Sequence, residues 1–350
     1  MKKYYTRACN FYYGNTSKLK VKNKLALKLH GDERISFDHL EIISRNSKKI
    51  IYFKDLRKLN SKLRKKVNID IKEITKKKFF SKLNLSNTPL LMGILNLTPD
   101  SFSDGGKYNK KNKGFNYSKK LISQGCDIID VGGESTRPYS SEISAKKEWE
   151  RIKSTLLKLV KLKKFISLDT RKSLIMKKGI KVGVNLINDI SGLNHDPDTI
   201  NIIKKKKIPF VVHHIQGNPK NMQVNPKYQN VLLDIYDFFE KKISFIRKKG
   251  INHNNILLDP GIGFGKNLKH NITLISKISI FHSLGFPILL GVSRKKFIKD
   301  ISGFNDSKER LGGTISATLY SMLQGVQILR IHDVNEINQG IKVFKSITND

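Results

Sequence analysis

From residue 90 onward, the sequence repeats one pattern, in which short apolar runs alternate with longer stretches of helical periodicity. Each run is rich in Ile, Val and Leu and ends in a polar or glycine-containing turn. Continuous apolar runs are typical of parallel strands, because both faces of such strands are covered. Between the runs, as in 149–162 and 231–247, apolar residues recur three and four positions apart. The eight runs are 90–98, 127–133, 165–170, 185–192, 210–215, 255–261, 287–293 and 325–334.

Eight successive strand–helix units predict an α/β fold whose parallel sheet closes into a (β/α)8 TIM barrel. A doubly wound open sheet is the main alternative. No glycine fingerprint of a dinucleotide-binding fold follows the first run, which favours closure. Barrels of this class commonly take 200–250 residues or more as one domain. We therefore assign 89–350 to the barrel and 1–88 to an N-terminal extension of unknown role.

The extension is strongly basic, with 24 basic and 7 acidic residues. Residues 49–53 and 67–71 are predicted as strands because of their β-branched and aromatic content, and lysine-rich stretches separate them. The pattern is compatible with a small appended sheet, a helix pair or a partly ordered arm, and it does not choose among them.

The whole chain has a formal net charge of +38, which raises the possibility of a nucleic-acid partner. Only 12 of its 67 basic residues are Arg, and the lysines are spread along the chain together with Asn and Ile. Surfaces that bind nucleic acid tend to concentrate Arg and interleave it with aromatic residues. We therefore read the charge as a general compositional bias and do not expect a nucleic-acid partner. Anionic small substrates would still be attracted by the positive field.

The two cysteines, Cys9 and Cys126, form no pattern of paired spacings, which indicates a reducing compartment. The N-terminus has no apolar stretch typical of a signal peptide, and no run approaches the ~18 apolar residues of a membrane span. We expect a cytoplasmic protein with no membrane partner.

Polar residues gather where the predicted strands end. Eight carboxyl ends of a barrel meet at one mouth, where active sites of this fold lie. A single Asp or Asn at a strand end is often only a helix N-cap. The polar residues at these strand ends also include cations, so together they predict a binding pocket for a polar heterocycle beside an anion. We expect His214 to face this mouth and His213 to pack away from it, because strand side chains alternate. The candidate residues are Asn96, Glu134, Thr136, Arg137, Asp169, Asn188, Asp189, His214, Asp259, Ser293, Arg294, Lys295, Arg330, His332 and Asp333.

Seven ordered motifs resemble the dihydropteroate synthase family over essentially all of 89–350. The resemblance implies a barrel enzyme of folate biosynthesis that joins 6-hydroxymethyl-7,8-dihydropterin pyrophosphate to p-aminobenzoate and is a target of sulfonamides. The glycines of the fifth motif are predicted to let the chain turn tightly at the rim of the barrel. The motifs are MGILNLTPDSFSDGG, DVGGESTRP, SLDT, NDISG, DPGIGFGK, GVSRK and RIHDV.

The resemblance implies that Asp169, Asn188, Asp259 and Lys295 bind the edge of the pterin ring, while Arg330 lies against its face. Carboxylate and amide oxygens suit the adjacent N–H donors of a 2-amino-4-oxo pterin. Asp259, Lys295 and Arg330 are the predicted catalytic residues.

The resemblance also implies a pyrophosphate site formed by Asn96, Arg137, Arg330 and His332. It further implies Mg²⁺ as the cofactor, held by Asn96 and the leaving group, which agrees with the preference of Mg²⁺ for oxygen ligands. The p-aminobenzoate pocket would combine a lid formed by loops 98–109 and 135–144 with Thr136, Arg137, Pro138, Phe264 and Lys296. Ser293 is expected to be structural support, and a homodimer is implied.

Several positions depart from the usual family pattern, mostly at the p-aminobenzoate end. Tyr139 stands where Gly is common, and Ile262 where an aromatic residue is common. Lys296 stands where a Ser often meets the aminobenzoate carboxylate, and HHIQG at 213–217 replaces an MHMQG-like run. We expect altered affinity for p-aminobenzoate rather than lost activity, since Lys296 could itself attract the carboxylate.

Two alternatives stay open at this stage. A methyltetrahydrofolate-binding domain of a corrinoid methyltransferase resembles the same barrel and pterin pocket, and pyrophosphate release would separate it from a synthase. The alternative of a different class is a protein that binds nucleic acid or a membrane surface, favoured only by the charge.

Overall fold

The computed structural model describes residues 3–98, 112–135 and 140–349. The first part of the chain forms strands β1 (Tyr5–Tyr13), β2 (Leu27–Leu29), β3 (Asp32–Ile43) and β4 (Lys48–Tyr52), with helices α1 (Gly14–Lys22) and α2 (Ser61–Thr75). The strands form an antiparallel sheet in which β3 pairs with the other three.

The strand predicted at 49–53 is confirmed as β4, whereas the strand predicted at 67–71 is wrong because these residues lie in α2. The buried positions of α2 are Leu63, Val67, Asp70 and Ile74, spaced three or four apart. This spacing places them on one face of a helix, and they pack against the sheet.

The N-terminal sheet packs on the flank of the barrel. Tyr5 is 1% exposed and meets the ring of Tyr236 edge-on at a centroid distance of 5.1 Å. The Ser279 hydroxyl donates to the Ala8 carbonyl at 2.9 Å, so strand β1 is also held by hydrogen bonding to the barrel. The extension is therefore not a loose arm but shares a core with the barrel.

The eight predicted barrel strands are all present, and they form one parallel sheet in the order β10-β9-β8-β7-β6-β5-β12-β11. A parallel bridge between Leu258 and Ile288 joins the two ends, which closes the barrel. The strands are β5 (Leu90–Asn96), β6 (Ile128–Gly132), β7 (Phe165–Asp169), β8 (Leu186–Asp189), β9 (Phe210–His213), β10 (Ile256–Asp259), β11 (Leu289–Leu290) and β12 (Ile328–Ile331).

Helices cover the outside of the barrel between the strands. The helical periodicity at 149–162 and 231–247 is confirmed by the second and fifth of these helices. No helix among the described residues is long and apolar enough to cross a membrane. The helices are α3 (Lys113–Ser123), α4 (Ala145–Leu159), α5 (Ser173–Val182), α6 (Thr199–Lys206), α7 (Val231–Lys248), α8 (Leu268–Ser276), α9 (Lys296–Ser302), α10 (Leu311–Leu323) and α11 (Val334–Asn349).

The inside of the barrel is filled in layers. The lower layer is apolar, and Phe80, which precedes β5, closes it from below with no exposed surface. Because side chains alternate along a strand, the inward residue two positions further along each strand belongs to the next layer towards the mouth. The lower layer consists of Phe80, Leu85, Leu90, Met92, Ile128, Leu186, Val211, Leu257, Leu289 and Ile328.

Candidate active site

The layer above this apolar floor is polar, and it forms the bottom of the candidate site. Five of its residues each lie two positions beyond a member of the apolar layer, so strand periodicity alone places them inside the barrel. Asp169 belongs to the same layer, since its Cα is paired with that of Asn188. The five are Asp130, Asn188, His213, Asp259 and Arg330.

Arg330 is held by two carboxylates. Its Nε donates to Asp130 Oδ2 at 2.6 Å and its Nη2 donates to Asp169 Oδ2 at 2.8 Å. Burial raises the pKa of Asp169 above its usual range, and the Arg330 guanidinium opposes this shift. The paired contacts fix the plane of the guanidinium. The sequence assigned no role to Asp130, which lies within β6.

Asn188 presents a buried acceptor to this layer. Its Nδ2 donates to Asp130 Oδ2 at 3.1 Å, which assigns the orientation of the amide, because a carboxylate accepts only from the N–H side. Its Oδ1 has no hydrogen-bond partner among the described residues, although Asn188 is 2% exposed. A buried oxygen in this state requires a donor, and a bound heterocycle can supply one.

Asp259 and Lys295 form the second part of the site. Asp259 Oδ1 accepts from the Gly261 N–H at 2.8 Å. Burial raises the pKa of Asp259 to about 6, against the effects of that N–H and of Lys295. Burial also lowers the pKa of Lys295 to about 8, and the nearby Arg330 contributes to this. Near neutral pH, Asp259 is therefore mostly a carboxylate and Lys295 mostly an ammonium group.

The rim beside Lys295 is a glycine-rich turn that carries Phe264. Lys295 Nζ lies 4.2 Å from the centroid of the Phe264 ring. Gly261, Gly263 and Gly265 have φ values of +68°, +81° and +64°, a region that side chains rarely adopt, so the tight turn predicted for these glycines is confirmed.

The proposed anion-binding end is described in part. His332 Nδ1 lies 2.9 Å from Ser293 Oγ, which also accepts from the His332 backbone N–H at 3.2 Å. The Ser293 hydroxyl can donate to Nδ1 or accept from it, so this contact holds the His332 ring in either tautomer. This geometry agrees with the supporting role predicted for Ser293. Asn96 ends β5 beside Gly132 of β6.

Three of the predicted residues, Thr136, Arg137 and Pro138, lie outside the described residues, as do 99–109 of the first predicted lid loop and 136–139 of the second. Lys296 is described, and its ammonium group is paired within α9. Its Nζ forms an ion pair with Asp300 at 2.6 Å within α9, and its side chain is 74% exposed. Ion pairs four residues apart are favourable on a helix surface, and this one turns Lys296 to solvent.

The prediction for the two histidines is reversed. The Cα atoms of His213 and Asp259 are paired in adjacent strands, and His213 Nε2 lies 4.0 Å from Asp259 Oδ2. His214 points to the helix side, where its ring meets Phe238 edge-on at 4.8 Å. The two side chains do point in opposite directions, as predicted, but His213 faces the inside of the barrel and His214 faces the helices.

A closed parallel barrel with carboxylate and amide acceptors above an apolar floor defines a pterin-binding enzyme. The model of the family described as "Pterin binding enzyme" matches residues 92–332. The dihydropteroate synthase of Escherichia coli strain K12 is 39% identical over 75% of this chain and 93% of its own length. The dihydropteroate synthase of Yersinia pestis, solved with a sulfonamide drug, has 37% identity and a TM-score of 0.72 over 77% of this chain and 97% of its own.

A dihydropteroate synthase of Xanthomonas albilineans, solved with 4-aminobenzoic acid, has 31% identity and a TM-score of 0.72 over 77% of this chain and 96% of its own. The chain therefore belongs to the dihydropteroate synthase family, whose members are transferases.

Proposed function

We propose that the chain condenses 6-hydroxymethyl-7,8-dihydropterin pyrophosphate with p-aminobenzoate and releases 7,8-dihydropteroate and pyrophosphate, a step of folate biosynthesis. The C–O bond to pyrophosphate breaks, a C–N bond to the aryl amine forms, and the amine loses one proton. The observation that carries this proposal is the buried Asn188 Oδ1, which lacks a donor in the described residues and lies in one layer with Asp169 and Asp259. Such a row of acceptors suits the N–H groups of a pterin edge.

In this proposal the acceptors orient the pterin and the cations stabilise charge. Asp169, Asn188 and Asp259 bind the ring edge. Lys295, whose ammonium group also faces Phe264, contacts the same edge. Arg330 is fixed by its two carboxylates, so its guanidinium can lie flat against the ring without reorganising.

Departure of pyrophosphate would be assisted by positive groups rather than by a covalent nucleophile of the enzyme. Arg330, Arg137 and His332 are the proposed pyrophosphate ligands. The contact of Ser293 with His332 supports this role, because it holds the imidazole ring in place just after β12.

Mg²⁺ is the proposed cofactor. Among the described residues, no group of three or more His, Cys, Asp or Glu side chains could hold a metal ion. The amide oxygen of Asn96 is a suitable but single ligand, so this donor set fits a cation whose other ligands come from pyrophosphate and water. Such an ion would neutralise charge on the leaving group.

For p-aminobenzoate we propose a rim pocket formed by Thr136, Arg137, Pro138 and Phe264. The relative from Xanthomonas albilineans, which was solved with 4-aminobenzoic acid, supports this substrate. Lys296, predicted as a further member of this pocket, is paired with Asp300 and would have to leave that ion pair to bind the aminobenzoate carboxylate. We also propose a cytoplasmic location. We further propose a homodimer, and light scattering of the purified chain would test this by measuring its molar mass.

The test is to incubate the purified chain with both substrates and Mg²⁺ and to measure dihydropteroate and pyrophosphate. We expect Asp259→Asn and Lys295→Ala to lose nearly all activity, while Lys299→Ala on α9 stays active. Full activity of both site variants would contradict the site. Absence of both products with the wild-type chain would contradict the function, and pyrophosphate release distinguishes it from a methyltransferase.

A further inference from the structure

Lys266 is a buried lysine that the proposed mechanism does not use. It is 3% exposed, and no carboxylate of the described residues forms an ion pair with its Nζ. Burial lowers the pKa of Lys266 well below its usual value. A buried amine without a paired carboxylate is unfavourable unless its hydrogen bonds are satisfied, so its contacts should show its role.

The amine of Lys266 contacts acceptors from two different strand ends. Nζ lies 3.0 Å from His214 Nδ1 and donates to the His214 carbonyl at 3.4 Å. It also donates to the Phe264 carbonyl at 2.9 Å. Burial lowers the pKa of His214, so its ring is neutral and Nδ1 can accept. Lys266 therefore connects the end of β9 to the turn that follows β10.

Three residues of this turn are glycines, which have no side chain to pack, so the turn is held by hydrogen bonds to its backbone. The Gly263 N–H donates to Asn271 Oδ1 at 2.8 Å, and the Gly265 carbonyl accepts from the Tyr228 hydroxyl at 2.8 Å. Between these two glycines, the Phe264 carbonyl accepts a hydrogen bond from Lys266 Nζ. Lys266 therefore fixes the backbone of the residue that carries the aromatic side chain.

The position of the Phe264 ring matters for the rim of the site. Lys295 Nζ lies over one face of the ring at 4.2 Å, and the His213 ring meets it edge-on at 4.6 Å. The pterin ligands Asp169 and Asn188 come from β7 and β8, whereas this turn follows β10. A shift of the turn would therefore displace the aromatic ring directly, while the pterin ligands Asp169, Asn188 and Arg330 stand on other strands.

We infer that Lys266 is a positioning residue for the p-aminobenzoate pocket, which it organises by fixing the Phe264 carbonyl against the end of β9. This inference rests on the proposed function. It predicts a selective effect on the second substrate, which a general loss of stability would not produce.

The experiment compares Lys266→Met with Lys269→Met in the full chain. The first variant removes every donor at Nζ while keeping the length of the side chain. The second makes the same change three residues later, at an exposed lysine on α8. For each protein, KM is measured separately for p-aminobenzoate and for the pterin pyrophosphate, and hydrogen exchange is followed in residues 261–266.

We expect Lys266→Met to raise the KM for p-aminobenzoate at least tenfold, with less than a threefold change in the KM for the pterin pyrophosphate. Exchange in 261–266 should rise, and Lys269→Met should match the wild type in all three measurements. Lys266→Gln, which keeps an N–H donor, should recover part of the loss.

Equal rises in both KM values, or an unchanged KM for p-aminobenzoate, would overturn the inference. If Lys266→Met does not fold, His214→Leu replaces it, since it removes one acceptor of the same contact and should act in the same direction. His214→Asn, which keeps an acceptor near Nδ1, is its control. A wild-type chain that makes no dihydropteroate would overturn the proposed function and this inference with it.

Discussion

Phe80 offers a test of how the segment before the barrel contributes to its stability. This side chain has no exposed surface and closes the lower end of the barrel, in the same apolar cluster as Leu90, Leu257 and Ile328. Replacing a fully buried Phe by Ala costs about 3–5 kcal/mol, because apolar contacts are lost and a cavity remains. We expect Phe80→Ala to lower the free energy of unfolding by about that amount.

The neighbouring residue provides a matched control, since Phe79 is 56% exposed. Phe79→Ala should change the free energy of unfolding by no more than about 0.5 kcal/mol. Urea unfolding can be followed by circular dichroism and by the fluorescence of Trp149, the only tryptophan of the chain. The folded fraction of both variants should keep the wild-type kcat, because Phe80 lies at the end of the barrel opposite the mouth. Equal stabilities of the two variants would refute the assignment of Phe80 to the barrel core.

Three further predictions concern the site and the flank of the barrel. The kcat/KM for the pterin pyrophosphate should fall below about pH 6 as Asp259 is protonated and above about pH 8 as Lys295 loses its proton, and a flat profile between pH 5 and 9 would contradict both roles. Asp130→Asn weakens the contact that orients Arg330 and should lower kcat/KM of the folded protein by about 10- to 100-fold in steady-state assays. It should also lower the thermal midpoint, because a largely buried guanidinium loses one of its two charged partners. Tyr5→Phe removes a hydrogen bond to a carboxylate on α7 and should cost about 1 kcal/mol in urea unfolding, without any change in activity.

The barrel could be predicted from the sequence because each of its strands is a short apolar run that can be recognised without knowing its distant contacts. Runs such as 127–133 and 255–261 are apolar on both faces, and each ends in a turn. The N-terminal sheet depends instead on contacts between distant residues, such as Ser279 with Ala8, which no local pattern contains. Residues 67–71 alternate like a strand over a short window, and only the wider spacing of Leu63, Val67 and Ile74 indicates α2.

The site could be predicted in part for the same reason. Asp259 and Arg330 follow from strand ends and from family motifs, and the structure brings them together in one layer. Asp130 received no role from the sequence, although it begins the motif DVGGESTRP and lies two residues after the inward-facing Ile128. The orientation of the Lys296 side chain depends on its ion pair with Asp300 in α9. The motif GVSRK ends before Lys296 and Asp300, so it does not specify this pair.

The closed floor of the barrel determines the order in which molecules can enter. Among the described residues, Phe80 and the apolar layer above it fill the lower end of the barrel, so the polar layer opens towards the mouth. Asp169 and Asn188 lie within the barrel, while Phe264 lies at the rim. A molecule seated at the rim would stand between the solvent and the inner acceptors. If the substrates occupy the proposed positions, the pterin would enter before p-aminobenzoate, and the pterin half of the product would leave by the same path.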